Sequence, residues 1–172
     1  FHNGISIKVP YQQMEVNEGE EPEVVANGYL YPPLPDHPFD NSILQTLEAI
    51  ANEDLPLFEE SCQKIKDWDF KDPMRVSLVH HASRCKSPVI LNKLIQKGAD
   101  LRVVDTQGFT PLHYASQRGS VECIKALVKH CPNLLEIPGE NGETPLFLAV
   151  QKQSLKSINT LLSLGANPNA KI

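Results

Sequence analysis

Apolar residues recur at intervals of three and four along most of the chain, in short stretches that end at glycine or at a polar turn. In the middle of the chain, Leu112 and Ala115 belong to one such stretch, which stops at Gly119. A second stretch follows at once and contains Ile124 and Leu127. This spacing puts apolar side chains on one face of a helix, so the pattern predicts pairs of short amphipathic helices.

The residues that bound these stretches are typical of helix ends. Thr110 suits an N-cap, and Pro111 suits the first helical position, where a missing N–H costs nothing. We expect Ser120 to cap the second helix in the same way. Gly98 and Gly165 stand where a left-handed residue would end a second helix. The predicted unit is therefore two helices joined by a tight turn.

This helical unit repeats with a period near 33 residues. Placing His113 over His80, an offset of 33, aligns the following helices without a gap. Placing Thr144 over Thr110, an offset of 34, aligns a further unit, and the extra residue fits into a loop. One helix pair of this size cannot bury its own apolar face, so about three stacked units are needed for stability.

Two motifs in the repeating unit carry a family resemblance. Gly-Phe-Thr-Pro-Leu-His at 108–113 and Gly-Glu-Thr-Pro-Leu-Phe at 142–147 resemble the ankyrin-repeat signature. The turns at 97–100 and 164–170 are similar to the closing turn of that family. The resemblance covers 72–172 and implies an all-α ankyrin-repeat solenoid of helix-turn-helix units with short hairpin loops. The proline-rich sequence before it predicts that the solenoid is preceded by an extended N-terminal segment.

The segment boundaries follow from proline and from the apolar pattern. Six of the 14 prolines lie in the first 39 residues, where a regular helix is therefore not expected. The next stretch has one apolar and one charged face, as a terminal repeat requires. We expect an acidic Pro-rich extension at 1–39, a divergent N-terminal capping repeat at 40–71, and ankyrin repeats at 72–104, 105–138 and 139–172, the last continued in the full-length protein.

Several positions depart from the family pattern. Arg75 stands where the hairpin glycine is expected, so the match to the family pattern is weakest at the hairpin 72–76. Phe147 replaces the histidine of the signature in the third repeat, and Cys131 with Pro132 replaces Gly-Ala at the central turn. These substitutions predict an irregular stack.

The net charge of -5 hides an uneven distribution along the chain. Residues 1–39 carry six acidic and one basic side chain, and 40–71 carry eight and three. Residues 72–172 carry seven acidic and twelve basic side chains. The charge therefore favours an acidic protein partner for the repeats and an intramolecular contact between 1–39 and the repeats. Nucleic acid is not the expected partner, because the basic residues are spread out and lack interleaved aromatics.

Candidate chemistry is sparse. The sequence contains no catalytic or phosphate-binding motif, so we expect no enzymatic activity, no cofactor and no small-molecule substrate. The histidines and cysteines lack metal-ligand spacing, and the resemblance implies that His80 and His113 brace neighbouring loops. Cys85 and Cys131 are expected to be more exposed than the other cysteines. Four cysteines without a disulfide framework indicate an intracellular protein, cytoplasmic or nuclear, and no apolar run predicts membrane insertion.

The family resemblance implies partner binding on the concave side, formed by hairpin tips and first helices. Phe109 has two interpretations of equal weight, an interface anchor or packing against a neighbouring hairpin. Asn169 matches a hairpin asparagine that hydroxylases modify in some ankyrin repeats and is a candidate modification site. The matching partner-binding positions are Val76, Arg84, Thr106, Gln107, Phe109, Gln117, Arg118, Glu140, Asn141, Glu143, Gln151 and Lys152.

A proline-rich stretch in the N-terminal extension is a second candidate binding element. It could dock as a polyproline II segment on an aromatic groove. The favoured alternative is that its apolar side chains anchor the extension on the capping repeat, since exposing them is costly. The residues of this linear motif are Tyr29, Tyr31, Pro32, Pro33, Leu34 and Pro35.

These observations favour a non-catalytic protein–protein interaction module that presents a rigid concave surface. One alternative is the substrate-recruiting or regulatory portion of a larger enzyme such as a ubiquitin-ligase adaptor, kinase or lipase. The stretch at 141–150 is similar to SOCS-box ankyrin adaptors. A second alternative is an inhibitor of Rel-type transcription factors.

Overall fold

The fold is a stack of helix pairs, as the sequence predicts. The computed structural model describes residues 25–26, 29–30, 41–65, 68 and 70–170. In this part of the chain the expected all-α repeat architecture is confirmed, with a minor two-stranded pairing near the N-terminus. The α-helices are α1 (Asn41–Asn52), α2 (Leu55–Cys62), α3 (Leu78–Ala82), α4 (Val89–Gln96), α5 (Pro111–Arg118), α6 (Val121–His130), α7 (Pro145–Gln151) and α8 (Leu155–Ser163).

The helices form two layers. The inner helices α1, α3, α5 and α7 each pack against the next one along the stack, and the outer helices α2, α4, α6 and α8 form the second layer. Ala82, Ala115 and Ala149 are fully buried on successive inner helices. Their small side chains let the inner helices approach closely, and the larger Leu112 and Leu127 fill the space between the layers.

The helix ends agree with the sequence prediction at most positions. Helix α5 begins at Pro111 directly after Thr110, and Gly119 ends it with a φ of 83°. Gly98 and Gly165 follow α4 and α8 with φ values of 86° and 97°. Left-handed backbone at these turns is the conformation that glycine adopts without steric cost.

Ser120 corrects one of these predictions. Its side chain does not cap α6. Instead its hydroxyl donates a hydrogen bond of 3.1 Å to the main-chain oxygen of Arg84 in the preceding repeat. The residue therefore joins two repeats, a role that local sequence could not indicate.

The first hairpin is regular even though Arg75 stands in the place of glycine. The N–H of Asp72 donates to the oxygen of Val76 (3.1 Å), and the N–H of Arg75 donates to the oxygen of Asp72 (2.7 Å). The same two bonds close the second and third hairpins. Arg75 adopts a φ of 61°, close to the 74° of Gly108 at the equivalent position. The hairpin thus keeps its shape at the cost of a strained non-glycine residue.

Because of this strain, Arg75→Gly is expected to raise the free energy of unfolding by about 0.5 to 1 kcal/mol, net of the entropy that glycine adds to the unfolded chain. Urea unfolding of the full chain measures the change. Gly98→Ala is the matched control, because a Cβ at Gly98 would meet no atom within 4 Å and φ is +86°. It isolates the cost of left-handed backbone and should lower the stability by about 1 kcal/mol. A destabilising Arg75→Gly would contradict the strain.

The central turn differs most from a regular repeat. After α6 the chain forms a 3-10 helix at Pro132–Glu136, which begins at the Pro that replaces the usual turn. This helix buries Leu134 and Leu135 against the core. It also accommodates the extra residue between the second and third repeats.

Part of the N-terminal extension lies on the first inner helix. Strands β1 (Val25–Ala26) and β2 (Tyr29–Leu30) pair antiparallel, with Val25 opposite Leu30. Strand β1 contacts α1. This contact places residue 25 at the beginning of the inner layer.

Candidate protein-binding surface

The tips of the three hairpins are joined by main-chain hydrogen bonds. The N–H of Thr106 donates to the oxygen of Met74 at 2.9 Å, and the N–H of Glu140 donates to the oxygen of Gln107 at 2.9 Å. Each bond connects one hairpin to the next. The tips therefore form a continuous row whose spacing is set by the backbone rather than by flexible side chains.

Two buried histidines brace this row from below. The Nδ1 atom of His80 accepts the main-chain N–H of Ser77 at 3.1 Å, and its Nε2 lies 3.0 Å from the oxygen of Phe109 in the next hairpin. His113 repeats this arrangement with the N–H of Thr110 at 3.0 Å and the oxygen of Glu143 at 2.9 Å. Since Nδ1 is the acceptor, the proton is on Nε2, which donates across the repeats.

Burial keeps both histidines neutral. Desolvation lowers the pKa of His80, and it lowers the pKa of His113 to about 4, against smaller opposing effects of hydrogen bonds and carboxylates. Neutral imidazole is the form that the bracing geometry requires, because a protonated Nδ1 could not accept the N–H of Ser77 or Thr110. The row of hairpin tips is thus preorganised at neutral pH.

Eight of the twelve candidate partner-binding residues are solvent-exposed on this braced frame. They lie at the second and third hairpin tips and at the carboxyl ends of α5 and α7. Arg84 and Glu143 are half-buried. The exposed residues are Thr106, Gln107, Gln117, Arg118, Glu140, Asn141, Gln151 and Lys152.

Two candidates are not free to contact a partner in the same way. Val76 is only 8% exposed, because it follows the first hairpin into the core. Phe109 is half-buried, and its ring stacks on His113 with the ring centroids 5.1 Å apart. Of the two interpretations of Phe109, the structure favours packing between hairpins over an exposed anchor.

The remaining candidates lie at the edges of the described structure. Residues 31–35 of the proline-rich motif lie outside the described residues, and Tyr29 opens β2. Asn169 is exposed, and its N–H donates to the Oδ1 atom of Asn167 at 2.9 Å. This geometry leaves the Asn169 site a prediction.

The charges on the surface are arranged in two groups. Arg118 and Lys152 are exposed at the ends of consecutive inner helices α5 and α7. Glu140 and Glu143 stand on the third hairpin. The pKa of Glu143 is lowered, first by its own main-chain N–H and then by the side chain of Asn141, so its carboxylate stays ionised at neutral pH.

Comparison with known proteins agrees with the stacked geometry. A family model described as ankyrin repeats (3 copies) matches residues 49–172. The chain belongs to the ankyrin-repeat family. Ankyrin repeats are protein-interaction modules.

Individual relatives extend this similarity. Ankyrin repeat and SOCS box protein 3 of Bos taurus is 36% identical over 96 residues, which is 55% of this chain and 18% of the relative. NF-kappa-B inhibitor alpha of Mus musculus is 30% identical over 132 residues, covering 72% of this chain and 42% of the relative. Ankyrin repeat and SOCS box protein 2 of Rattus norvegicus is 29% identical over 135 residues, covering 77% and 21%. The chain spans less than half the length of each relative.

Sequence reasoning missed the carboxylates that order the ankyrin hairpins and turns. Asp105 Oδ1 accepts the N–H groups of Gln107 (2.8 Å) and Phe109 (2.9 Å). The two oxygens of Glu53 accept the N–H groups of Lys86 (2.8 Å) and Ser87 (3.0 Å) in the following repeat. An aspartate at both 72 and 105, one period apart, was the available signal for the hairpin carboxylate.

The last ankyrin repeat also carries an exposed apolar strip. Leu155 is 72% exposed and Leu162 is 42% exposed on α8, and Val150 is exposed on α7. On the same helix α8, Leu161 is fully buried and Ile158 is half-buried.

Cysteine and histidine take structural positions in the described residues. Cys85 is buried, which corrects the expectation that it would be exposed, and its thiol donates to the oxygen of Ile50. Burial raises the pKa of Cys85 and of Cys123 to about 12, so both remain thiols. Among the described residues, no group of three or more His, Cys, Asp or Glu is placed to hold a metal ion. None of the helices in this part of the chain is long and apolar enough to cross a membrane.

Proposed function

We propose that this chain is a non-catalytic recognition module that binds an acidic protein partner along its hairpin tips and inner-helix ends. The observation that carries the proposal is the continuous row of exposed polar residues on a backbone held by inter-repeat hydrogen bonds. A surface that is already ordered loses little conformational entropy on binding, which favours affinity. The side chains of Thr106, Gln117 and Asn141 supply neutral hydrogen-bonding groups between the charges.

Electrostatics supports an acidic partner. The segment 72–172 carries twelve basic against seven acidic residues. On the outer helices, part of this charge is neutralised, since Lys93 pairs with Glu59 at 2.8 Å and Lys125 with Glu122 at 2.8 Å. Arg118 and Lys152 take part in none of the salt bridges found among the described residues, so they contribute positive potential to the proposed surface.

The N-terminal extension is a competing occupant of the same surface. Its five glutamates at 15–23 give it the complementary charge. Strand β1 contacts α1, and the acidic run precedes β1 directly in the sequence. About nine extended residues can span 30 Å, so the run is long enough to reach several repeats. We propose that 1–39 contacts the basic repeats and weakens partner binding.

Partner capture from a cell lysate with charge-reversal variants tests the function. Arg118→Glu with Lys152→Glu should reduce capture of the specific partner at least about tenfold, since each reversal replaces attraction by repulsion. Lys129→Glu, an exposed charge on outer helix α6, is the matched control and should capture as the wild type does. Removal of residues 1–39 should increase capture.

Two results of the capture experiment would contradict these proposals. A protein captured equally by the wild type, the double variant and Lys129→Glu would contradict recognition by the inner-helix ends. Unchanged affinity after removal of 1–39 would contradict the proposed occlusion of the surface by that segment.

The identity of the captured partner also distinguishes between the two wider roles. The similarity to ankyrin repeat and SOCS box proteins favours a substrate-recruiting portion of a larger assembly. Co-purification with a Rel-type dimer would instead favour the inhibitor role suggested by the name of NF-kappa-B inhibitor alpha.

A further inference from the structure

The third hairpin lacks the carboxylate that orders the first two. Asp72 Oδ1 accepts the N–H of Val76 at 2.8 Å, and Asp105 serves the second hairpin in the same way. At the equivalent position of the third hairpin, one period further on, the residue is Gly139. The hairpin nevertheless closes with the same main-chain bonds, so other groups must replace the aspartate.

The ring of Phe109 occupies the space above Gly139. A Cβ atom built on Gly139 would lie 2.5 Å from Cε1 and 2.8 Å from Cδ1 of that ring. Such distances are far below van der Waals contact, so any larger residue at 139 and the ring of Phe109 exclude each other. Gly139 has no left-handed backbone that would itself call for glycine. The close approach of the aromatic ring, with Glu143 Oε2 3.0 Å from the same Cβ position, is therefore the reason for this glycine.

Phe109 is held in position by its N–H, its main-chain oxygen and its ring. Its N–H donates to Asp105 Oδ1 at 2.9 Å, and its main-chain oxygen accepts the Nε2–H of His80 at 3.0 Å. Its ring stacks on His113 with an interplanar angle of 22°. The ring consequently reaches Gly139 from a backbone that the first and second hairpins hold in place.

Glu143 supplies one of the two main-chain hydrogen bonds that an aspartate makes in the second hairpin. Its Oε2 accepts the N–H of Asn141 at 3.2 Å, and its Oε1 accepts the Nδ2–H of the same residue at 3.1 Å. Asp105 makes the corresponding bond to the N–H of Gln107 in the second hairpin. The carboxylate has thus moved from the start of the hairpin to its end, which leaves room for the ring.

We infer that Phe109, Gly139 and Glu143 form an aromatic lock that sets the position of the third hairpin tip against the second. Phe109 is then a positioning residue: it places Gln107 on one tip and Glu140 and Asn141 on the next without contacting the partner itself. That last consequence rests on the proposed function, whereas the lock does not.

A double-mutant cycle in the full chain tests the aromatic lock. Amide hydrogen exchange at 139–143 reports on the hairpin, and exchange in α5 and α6 reports on the stack. Gly139→Ala alone should accelerate hairpin exchange about tenfold or more, because the new methyl group displaces the ring. In a Phe109→Ala background the same substitution should have a much smaller effect, since only Glu143 Oε2, 3.0 Å from the added Cβ, still lies close.

Three further variants keep the test decisive if the ring truncation destabilises the chain. Phe109→Tyr retains the ring and should preserve hairpin protection. Adding Gly139→Asp to Phe109→Ala should restore protection, because an aspartate at 139 can order the hairpin as Asp105 does, whereas Gly139→Asp alone should weaken it. Phe147→Ala, a half-buried aromatic outside the hairpin, is the control and should leave exchange at 139–143 unchanged.

The lock is overturned if Gly139→Ala accelerates exchange equally with and without Phe109. It is also overturned if Gly139→Asp changes the exchange rate at 139–143 in the same direction in both backgrounds. Partner capture by Phe109→Ala is read separately. Loss of hairpin protection with unaltered capture would leave the lock intact and contradict the role of the third hairpin in the proposed surface. Failure of the charge-reversal experiment would have no bearing on the exchange data.

Discussion

Acidification from pH 7.5 to pH 4 is expected to lower the free energy of unfolding by about 3 kcal/mol through His113 alone. Burial lowers the folded-state pKa of His113 to about 4, from an ordinary value of 6.5. The unfolded chain therefore binds the proton more tightly than the folded one. The stability is fully present above about pH 6.5 and is lost as the pH falls towards 4.

The other buried histidines act in the same direction. Desolvation lowers the pKa of His80, and it lowers the pKa of His81 to about 3. Asp72 acts in the opposite direction. Burial raises the pKa of its carboxyl, so protonation of Asp72 at low pH favours the folded state over the unfolded state. The net result expected is a loss of stability with acid, since three imidazoles outweigh one carboxyl.

Urea unfolding between pH 4 and pH 7.5 measures this dependence. The matched variant is His113→Gln, whose amide oxygen and nitrogen can accept from Thr110 and donate to Glu143 without titrating in this range. The free energy of unfolding should change less steeply with pH in this variant, by the amount that corresponds to at most one bound proton. An identical slope in the wild type and in His113→Gln would contradict the role of the buried imidazole.

His113→Ala is expected to destabilise the protein by about 4 kcal/mol and to uncouple the third repeat from the rest of the stack. The substitution leaves a cavity and removes the partner of the Thr110 N–H and of the Glu143 main-chain oxygen, which are costly to leave unsatisfied. In a repeat protein, stability is the sum of each unit and its interfaces, so a weakened interface lets one end unfold first.

Two probes distinguish uncoupling from a uniform loss of stability. Fluorescence of the single tryptophan, Trp68, reports on the first repeats, because its ring packs under the Lys97 ammonium group. Circular dichroism reports on all of the helices. In His113→Ala the two urea transitions should separate, with the fluorescence change at higher urea. The control is Phe147→Ala, which occupies the histidine position of the third repeat and should cost only about 1 kcal/mol, because it is half-buried. Coincident transitions in His113→Ala would show that the brace does not couple the repeats.

The repeat architecture could be predicted because its determinants are local. Thr110, Pro111 and Gly119 mark the bounds of an inner helix by backbone chemistry alone, and the apolar spacing fixes which face is buried. The period of about 33 residues then located the equivalent residues in the other repeats. Exposure of the inner-helix ends at Arg118 and Lys152 followed from the same pattern.

The details that the sequence did not reveal depend on contacts between repeats. Arg75 accepts left-handed backbone because the surrounding hairpin imposes it. Ser120 bonds to the previous repeat instead of capping its own helix, and Glu53 reaches across to the next one. Phe109 could be assigned to packing only once Gly139 was seen beneath its ring. Each of these depends on residues about one period apart, beyond the reach of helix propensities.

Hydrogen exchange of the wild-type chain, measured with and without the captured partner, tests the proposed recognition surface most directly. We expect added protection at the second and third hairpin tips, around 106–108 and 140–142, and at the inner-helix ends around 117–119 and 151–153. The outer helices α6 and α8 should exchange at unchanged rates. Protection confined to α6 and α8, with the hairpin tips unaffected, would contradict a concave recognition surface.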